Sequence, residues 1–512
     1  MSLQFHNQLT RTVDPFTPQV EGQVSLYTCG PTVYDYPHVG NWSGYIYWDV
    51  LVRTLQANGL KVDRVMNITD VGHLTGENEG DADRGEDKLE KGARREGKTA
   101  WEVAAFYTED FMKGIERLGL IMPTHITKAT DYIDQQLALV RTLKEKGFTY
   151  EIDDGIYFDT AKFPTYADFA GLDLEAQRAG ARVEYNPEKR NHSDFALWKF
   201  TPAGETRDME WKTPDDLLDS TSVETSAARV SDQETRSEAV SSDVGSKEVR
   251  MGFPGWHLEC SAMAMSLLGN TLDMHTGGID HIPVHHTNEI AQSEAATGVI
   301  FSNFWLHNNH LKVNGTKISK SLGNGYTLDD LEKKGYSPLD FRLFVLQSQY
   351  HNEGNFTFEN LEAAKNRLLN WRNIAALRHQ THGTLDDGDD RSVALYATSQ
   401  AIVEALSNDL DTPEAFRIID EAFDQLTNTS IDKIHQHALV SVLETIDDTL
   451  GLQLITTTPD ISDDQKRTIL ERERARENRD FKTADSLRDQ LEKEGVTVRD
   501  TSTGPIWEYL KI

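Results

Sequence analysis

YTCGPTVYDYPHVGN, residues 27–41, follows a short apolar run with Val24 and Leu26 and precedes WSGYIYWDVLVRTLQANG. The run predicts a buried strand, and the later segment a helix ending near Gly59. Strand, Gly- and Pro-bearing loop, then helix is the opening of a nucleotide-binding α/β unit. The loop carries two kinds of chemistry. Cys29 offers a soft thiolate at the end of the strand. His38-Val39-Gly40-Asn41 stands where a helix N-terminus presents free backbone N–H groups to a phosphate. Many strand-end loops only turn the chain, so this one takes its meaning from what recurs downstream.

Working outward, LKVDRVMNITDV reads as a second strand ending on Asn67, Thr69 and Asp70. Strand–helix–strand at this spacing favours a parallel sheet. A charged, Gly-rich loop leads into the helix TAWEVAAFYTEDFMKGIERLGL, whose spacing selects Trp101, Ala105, Phe111, Ile115 and Leu118 as the apolar face and which Pro123 ends. An amphipathic helix over 130–146 follows, then a hairpin around Asp153-Asp154-Gly155 and alternating polar and aromatic residues over 199–211. These form a small inserted subdomain. Residues 214–247, rich in Ser, Thr, Asp, Glu and Val and without an aromatic residue, read as a disordered or loosely held acidic insertion. MGFPGWHLECSAMAMSLLG reads as a turn and a helix, and TLDMHTGGIDHIPVHHTNEIAQSEAATG as a strand, a Gly-Gly loop and a helix. A hairpin around Asn314-Gly315, a Lys/Ser loop and a helix capped near Thr327 come next. Residues 337–454 are mostly helical, and two helices with a short β-like end close the chain.

The expected fold is α/β: a Rossmann-like parallel-sheet domain with an inserted α+β subdomain, then an α-helical bundle and a small C-terminal module. The two halves of the Rossmann domain fall at 1–122 and 251–300, the inserted subdomain at 123–212 and the acidic insertion at 213–250. The Lys/Ser loop region covers 301–365, the bundle 366–460 and the last module 461–512.

The 512 residues exceed one ordinary domain. A hydrophobic share of 38% with mean hydropathy −0.54 describes real cores under a polar surface. No run of ~18 apolar residues predicts a membrane span, and MSLQFHNQLTRTVDPF lacks the apolar stretch of a secretory signal. Two cysteines, Cys29 and Cys260, argue against a disulfide-stapled secreted protein and for a reducing cytoplasm. A net charge of −31 excludes a generally basic nucleic-acid-binding surface, though not a local basic track.

Three constellations carry chemistry. Cys29, Cys260, and His285 with Glu289 four residues on along a predicted helix face are zinc-ligand types. The set is dispersed, His275, His281 and His286 lie nearby, and chemistry alone does not choose among the four histidines. Lys317-Ile318-Ser319-Lys320-Ser321 sets two lysines in a small-residue loop that can meet a polyphosphate, or stand solvated. Gly277-Gly278-Ile279-Asp280 allows close approach of a nucleotide with an Asp for ribose hydroxyls, or makes a tight turn.

Together these stretches resemble the class I aminoacyl-tRNA synthetases and, within them, the cysteinyl-tRNA synthetase family. The family's H-I-G-H signature corresponds to His38-Val39-Gly40-Asn41, and its K-M-S-K-S signature to Lys317-Ile318-Ser319-Lys320-Ser321. Its zinc ligands fall on Cys29, Cys260, His285 and Glu289, and NITDV at 67–71 and RENRDFKTADSLRDQL near the end are also similar. The resemblance covers nearly the whole chain outside the acidic insertion. Asn41 replaces the second signature His, keeping a hydrogen-bond donor but no charge, and Thr287 replaces a more usual Glu.

The resemblance implies a two-step ligase that joins L-cysteine to ATP as cysteinyl-adenylate and then to the 3′ end of tRNA(Cys). It implies His38, Asn41, Lys317 and Lys320 as catalytic residues, His38, Gly40, Asn41, Gly277, Asp280 and Lys320 at ATP, and Thr69 and Trp256 at the amino acid. One Zn(2+) per chain would read the substrate's sulfur, Mg(2+) would arrive with ATP, and the protein would be a cytoplasmic monomer. The competing readings are a cysteine:amino-sugar ligase on the same core and a non-catalytic zinc-binding paralogue.

Overall fold

The structure is a computed structural model describing residues 2–72, 87–172, 186–219, 249–319, 322–381, 386–501 and 504–510. A hairpin of β1 (Gln4–Asn7) and β2 (Thr12–Pro15) leads into β3 (Gln23–Thr28). Val24 and Leu26 of β3 are fully buried, as the apolar run predicts. The signature loop then feeds α1 (Val39–Ala57), which begins at Val39 rather than Trp42 because His38 caps it. β4 (Lys61–Ile68) runs parallel to β3 from Gln23↔Lys61 to Thr28↔Met66.

α2 (Lys88–Glu96) and α3 (Ala100–Arg117) carry the chain to β5 (His125–Lys128), parallel to β4. The face of α3 differs from the expected one. Val103, Tyr107, Phe111 and Ile115 are buried, whereas Trp101 and Ala105 are exposed. Trp101 instead donates its indole N–H to the Asp208 carbonyl at 2.9 Å, an anchor invisible to periodicity. The helix stops well before Pro123, with Gly119 just past its end at φ 64.

After α4 (Ile133–Glu145), an antiparallel sheet is inserted from β6 (Thr149–Ile152), β7 (Gly155–Phe158), β8 (Phe195–Phe200), β9 (Trp211–Lys212) and β10 (Met251–Pro254), in the order β6-β7-β8-β10-β9. MGFP is thus a strand and not a turn. Gly252 permits it, since a Cβ there would stand 2.5 Å from the Lys199 carbonyl. Of the segment read as an acidic insertion, residues 213–219 and 249–250 are described: Leu217 is buried, and Arg250 pairs with Glu151 at 2.7 Å. The remainder lies outside the described residues.

α5 (Trp256–Leu268) returns to the parallel fold. β11 (Leu272–Gly278), α6 (Thr287–Thr297) and β12 (Ser302–Asn308) complete a five-stranded sheet of order β12-β11-β3-β4-β5. The crossovers from β3 and from β11 leave in opposite directions, so the C-terminal ends of these two neighbours form the switch point where α/β sheets bind ligands. β13 (Leu311–Val313) does not make the expected hairpin. Asn314 (φ 49) and Gly315 (φ 74) turn the chain over a single Val313–Thr316 bridge, while the strand pairs in parallel with β14 (Gly354–Phe356) beyond α7 (Leu328–Lys333) and α8 (Pro338–Leu346).

The rest is helical: α9 (Phe358–Ala376), α10 (Asp390–Ser407), α11 (Thr412–Thr427), α12 (Gln436–Leu450), and then α13 (Asp463–Glu477) and α14 (Phe481–Lys493) with the hairpin β15 (Val496–Thr501)–β16 (Gly504–Tyr509). One junction ties the halves together. Asp49 of α1 bonds Arg342 of α8 and lies 2.6 Å from Arg53 Nε. Arg342 Nε donates to the Leu450 carbonyl at 2.7 Å, and Arg53 Nη1 to that of Asp447 at 3.1 Å, both at the end of α12.

Candidate active site

At the ends of β3 and β11 the fold opens a cavity of about 970 Å³. Its floor carries the thiols. Cys29 follows β3, and Cys260 lies on α5; both are buried and free. Their neighbours come from an unusual helix start. Residues Ile282–His286 make a π-helical turn into α6, held by the Thr287 hydroxyl donating to the Ile282 carbonyl at 2.7 Å. Thr287 therefore closes the turn and does not face the thiols. The turn sends both His285 and His286 inward toward Glu289.

Two sets of four donors result: Cys29, Cys260, His285 and Glu289, and Cys29, His275, His286 and Glu289, each with its atoms within 4.8 Å. Of the residues that distinguish the sets, Cys260 and His285 line the cavity, while His275 and His286 do not. His286 lies deeper, its Nδ1 2.7 Å from His307 Nε2 and its Nε2 3.4 Å from Cys29 Sγ. Burial, with His275 and His307 adding to it, holds His286 well below the ordinary imidazole range. His285 Nδ1 meets His257 Nδ1 at 3.0 Å and its Nε2 lies 3.1 Å from Glu289 Oε1. Among the described residues that oxygen accepts no aligned hydrogen bond although it is fully buried. Burial also pushes both thiols up. Thiols, an imidazole and a carboxylate oxygen without a donor fit a divalent cation, whose charge reverses the cost of ionising the thiols.

Beside the thiols, Thr69 Oγ1 donates to Glu259 Oε1 at 2.7 Å and accepts from Asn67 Nδ2 at 3.0 Å. Asn67 in turn accepts from the Gly30 N–H at 2.7 Å. Gly30 has to be glycine, since a Cβ would fall 1.7 Å from the Asn67 carbonyl. Burial raises the Glu259 carboxyl to about 8 against the Thr69 bond, and its Oε2 has no partner among the described residues. Trp256 lines the same end, its ring 4.5 Å from that of His285.

At the other end the two signature loops touch. A Cβ on Gly40 would lie 2.9 Å from Ile318 Cδ1, and Val39 N–H donates to the Tyr326 carbonyl at 2.8 Å. The helix N-terminus is not open as the sequence suggests. His38 Nδ1 accepts from the N–H groups of Gly40 (3.1 Å) and Asn41 (3.3 Å), and Asn41 Oδ1 accepts from His38 N–H at 3.0 Å. Asn324, which the sequence reading overlooked, braces the lysine loop. Its Oδ1 accepts from Ser319 N–H at 2.9 Å and its Nδ2 donates to the Lys317 carbonyl at 3.2 Å. Lys317 lines the cavity; Lys320 lies outside the described residues.

Gly277 and Gly278 end β11 rather than forming a loop, and both line the cavity. A Cβ on Gly277 would stand 2.6 Å from His286 Cε1. Asp280 stays ionised: burial raises it, but His281, His310 and Lys317 together hold it below the ordinary range.

A floor of metal-ligand types, two mutually packed signature loops and a parallel sheet with a helical C-terminal half define a class I aminoacyl-tRNA synthetase. Residues 15–216 and 244–366 match the family of class I (C) tRNA synthetase catalytic domains, and residues 458–507 match the cysteinyl-tRNA ligase anticodon binding domain. The chain belongs to the cysteine–tRNA ligase family. It is 39% identical to cysteine–tRNA ligase 1 of Burkholderia lata over 98% of this chain and 96% of that one. It is 36% identical to the cysteine–tRNA ligase of Treponema denticola over the whole of both. Among solved structures, the LeuRS–tRNA–LeuAMS complex of Agrobacterium radiobacter K84 shares the fold at TM-score 0.57 and 13% identity, covering 87% of this chain and 86% of that one. Mycobacterium tuberculosis methionyl-tRNA synthetase bound by methionyl-adenylate does so at 0.54 and 14%, covering 88% and 94%. No helix among the described residues is long and apolar enough to cross a membrane.

Proposed function

We propose that the protein activates L-cysteine with ATP to cysteinyl-adenylate and transfers the cysteinyl group to the 3′ end of tRNA(Cys), as a cytoplasmic monomer. The observation that carries the reading is the meeting of two chemistries at one cavity: the thiols Cys29 and Cys260 with His285 at one end, the two signature loops at the other.

Cys29, Cys260, His285 and Glu289 would hold one Zn(2+). A zinc ion with an open position favours a thiolate over a hydroxyl, which a hydrophobic pocket discriminates poorly. His257 orients the His285 ring through its Nδ1. Thr69 and Trp256 bound the amino-acid end. In-line displacement at phosphorus needs positioning and charge stabilisation more than covalent help. With the backbone N–H groups capped, His38 and Asn41 act at the phosphates through their side chains. Lys317 and Lys320 meet the charge developing on pyrophosphate, Gly277 and Asp280 receive the nucleoside, and Mg(2+) comes with ATP.

Replacing Cys260 by Ser tests the assignment: zinc content and cysteine-dependent pyrophosphate exchange should both fall. Unchanged zinc with unchanged exchange would sink it. Labelled cysteine incubated with ATP and bulk tRNA should become acid-precipitable, which a cysteine:amino-sugar ligase or a non-catalytic paralogue would not achieve.

A further inference from the structure

Beyond the thiols and the signature loops, the cavity wall is made of residues that the steps above do not use. Tyr34, Asp35 and Tyr36 of the first loop and Lys88 at the start of α2 are part of it. Tyr36 is 43% exposed, a large aromatic side chain left open at the mouth. Pro37 confines its backbone to extended conformations. Behind it the ring meets buried Tyr107 edge-on at 5.1 Å and Phe106, itself 42% exposed, at 6.1 Å. A ring packed edge to face against two others and still partly exposed can serve as a stacking platform.

The surroundings suit a nucleotide. Lys98 Nζ lies 4.7 Å over the Phe106 ring, and Lys88 Nζ 5.3 Å over the Tyr34 ring. The acidic groups nearby are balanced: Asp35 accepts from Tyr36 N–H at 2.9 Å and stands 4.0 Å from Arg95, and Glu96 pairs with Arg95 and Lys98 at 3.0 Å each.

We propose that Tyr36, backed by Phe106 and Tyr107, stacks the terminal adenine of the acceptor RNA as it enters the cavity. The proposal rests on the tRNA-charging reading. Transfer requires the terminal ribose hydroxyl to reach the adenylate's carbonyl, between the thiol end and the phosphate end. The attached base must then lie within one nucleoside's length, on the open side of the cavity. Tyr36 lines that cavity, on the loop that carries His38, and stacking is available because every base presents a π face.

The test is binding, without turnover. The affinities of the full-length protein and of Tyr36→Ala are measured for tRNA(Cys) transcripts ending in CCA and for the same transcripts cut back to CC. Removing the adenosine should weaken binding to the wild type about tenfold, the size expected for one stacked base. The same removal should change binding to Tyr36→Ala by less than about twofold, and Tyr36→Phe should behave as the wild type. An equal loss in wild type and Tyr36→Ala overturns the proposal, as does no loss in the wild type or a Phe variant that behaves as Ala. A wild type that neither binds nor charges tRNA defeats the underlying reading as well. A wild type that charges tRNA but shows the terminal-base effect undiminished in Tyr36→Ala defeats the stacking role alone.

Discussion

Asp49 sits fully buried on α1 between two arginines. Burial favours its neutral form, but Arg342, Arg53 and the Ile121 N–H hold its carboxyl below the ordinary range. A carboxylate with a depressed folded-state pKa stabilises the fold above its unfolded value, about 3.9, and loses that stabilisation as pH falls through the folded value. The stability gap between wild type and Asp49→Asn, read from urea midpoints, should therefore narrow as pH is lowered from about 7 to below about 4. A second prediction concerns Thr69. Thr69→Val removes the donor to Glu259 and should cost about 1–3 kcal/mol in the same assay, because a buried oxygen loses its partner. At this scale the sequence was informative about chemistry and silent about support. Cys29, Cys260, His285 and Glu289 could be named from residue type and resemblance. Glu259 and Asn324 could not, because nothing in a linear sequence says which carboxylate or amide will be buried against which loop.

α1 shows how an element serves the site. Its first turn is a reciprocal cap, His38 on the N–H groups of Gly40 and Asn41, and Asn41 on His38 N–H. Asn41→Ala should lower stability by about 1 kcal/mol through loss of one half of that cap. Asn41→Asp keeps the acceptor but sets a negative charge at the phosphate end. It should leave the melting temperature nearly unchanged and raise KM for ATP on the order of tenfold in pyrophosphate exchange, about 1.4 kcal/mol of binding. The helices and parallel strands were legible because their hydrophobic periods are long. The π turn was not. Its extra residue per turn is invisible in the spacing of HIPVHH, so the sequence could set both His285 and His286 at helical spacing from Glu289 without choosing between them. β10 escaped for a similar reason: Gly and Pro in MGFP signal a turn until Trp198 and Lys199 are packed against them.

Over the whole molecule, charge is the dominant fact. With a net charge of −31, binding a polyanion must rely on local cations against a repulsive background. KM for tRNA should rise on the order of tenfold or more between about 50 and 200 mM salt, while KM for cysteine moves little, as parallel aminoacylation and exchange titrations would show. The order of the parts was readable from composition and period. How they lock together was not, since the Asp49–Arg342 contact joins residues far apart in the chain. The chain contains two cysteines, and both belong to the same donor set. A thiol-reactive chromophore therefore has no background to report: every equivalent it titrates comes from that one site.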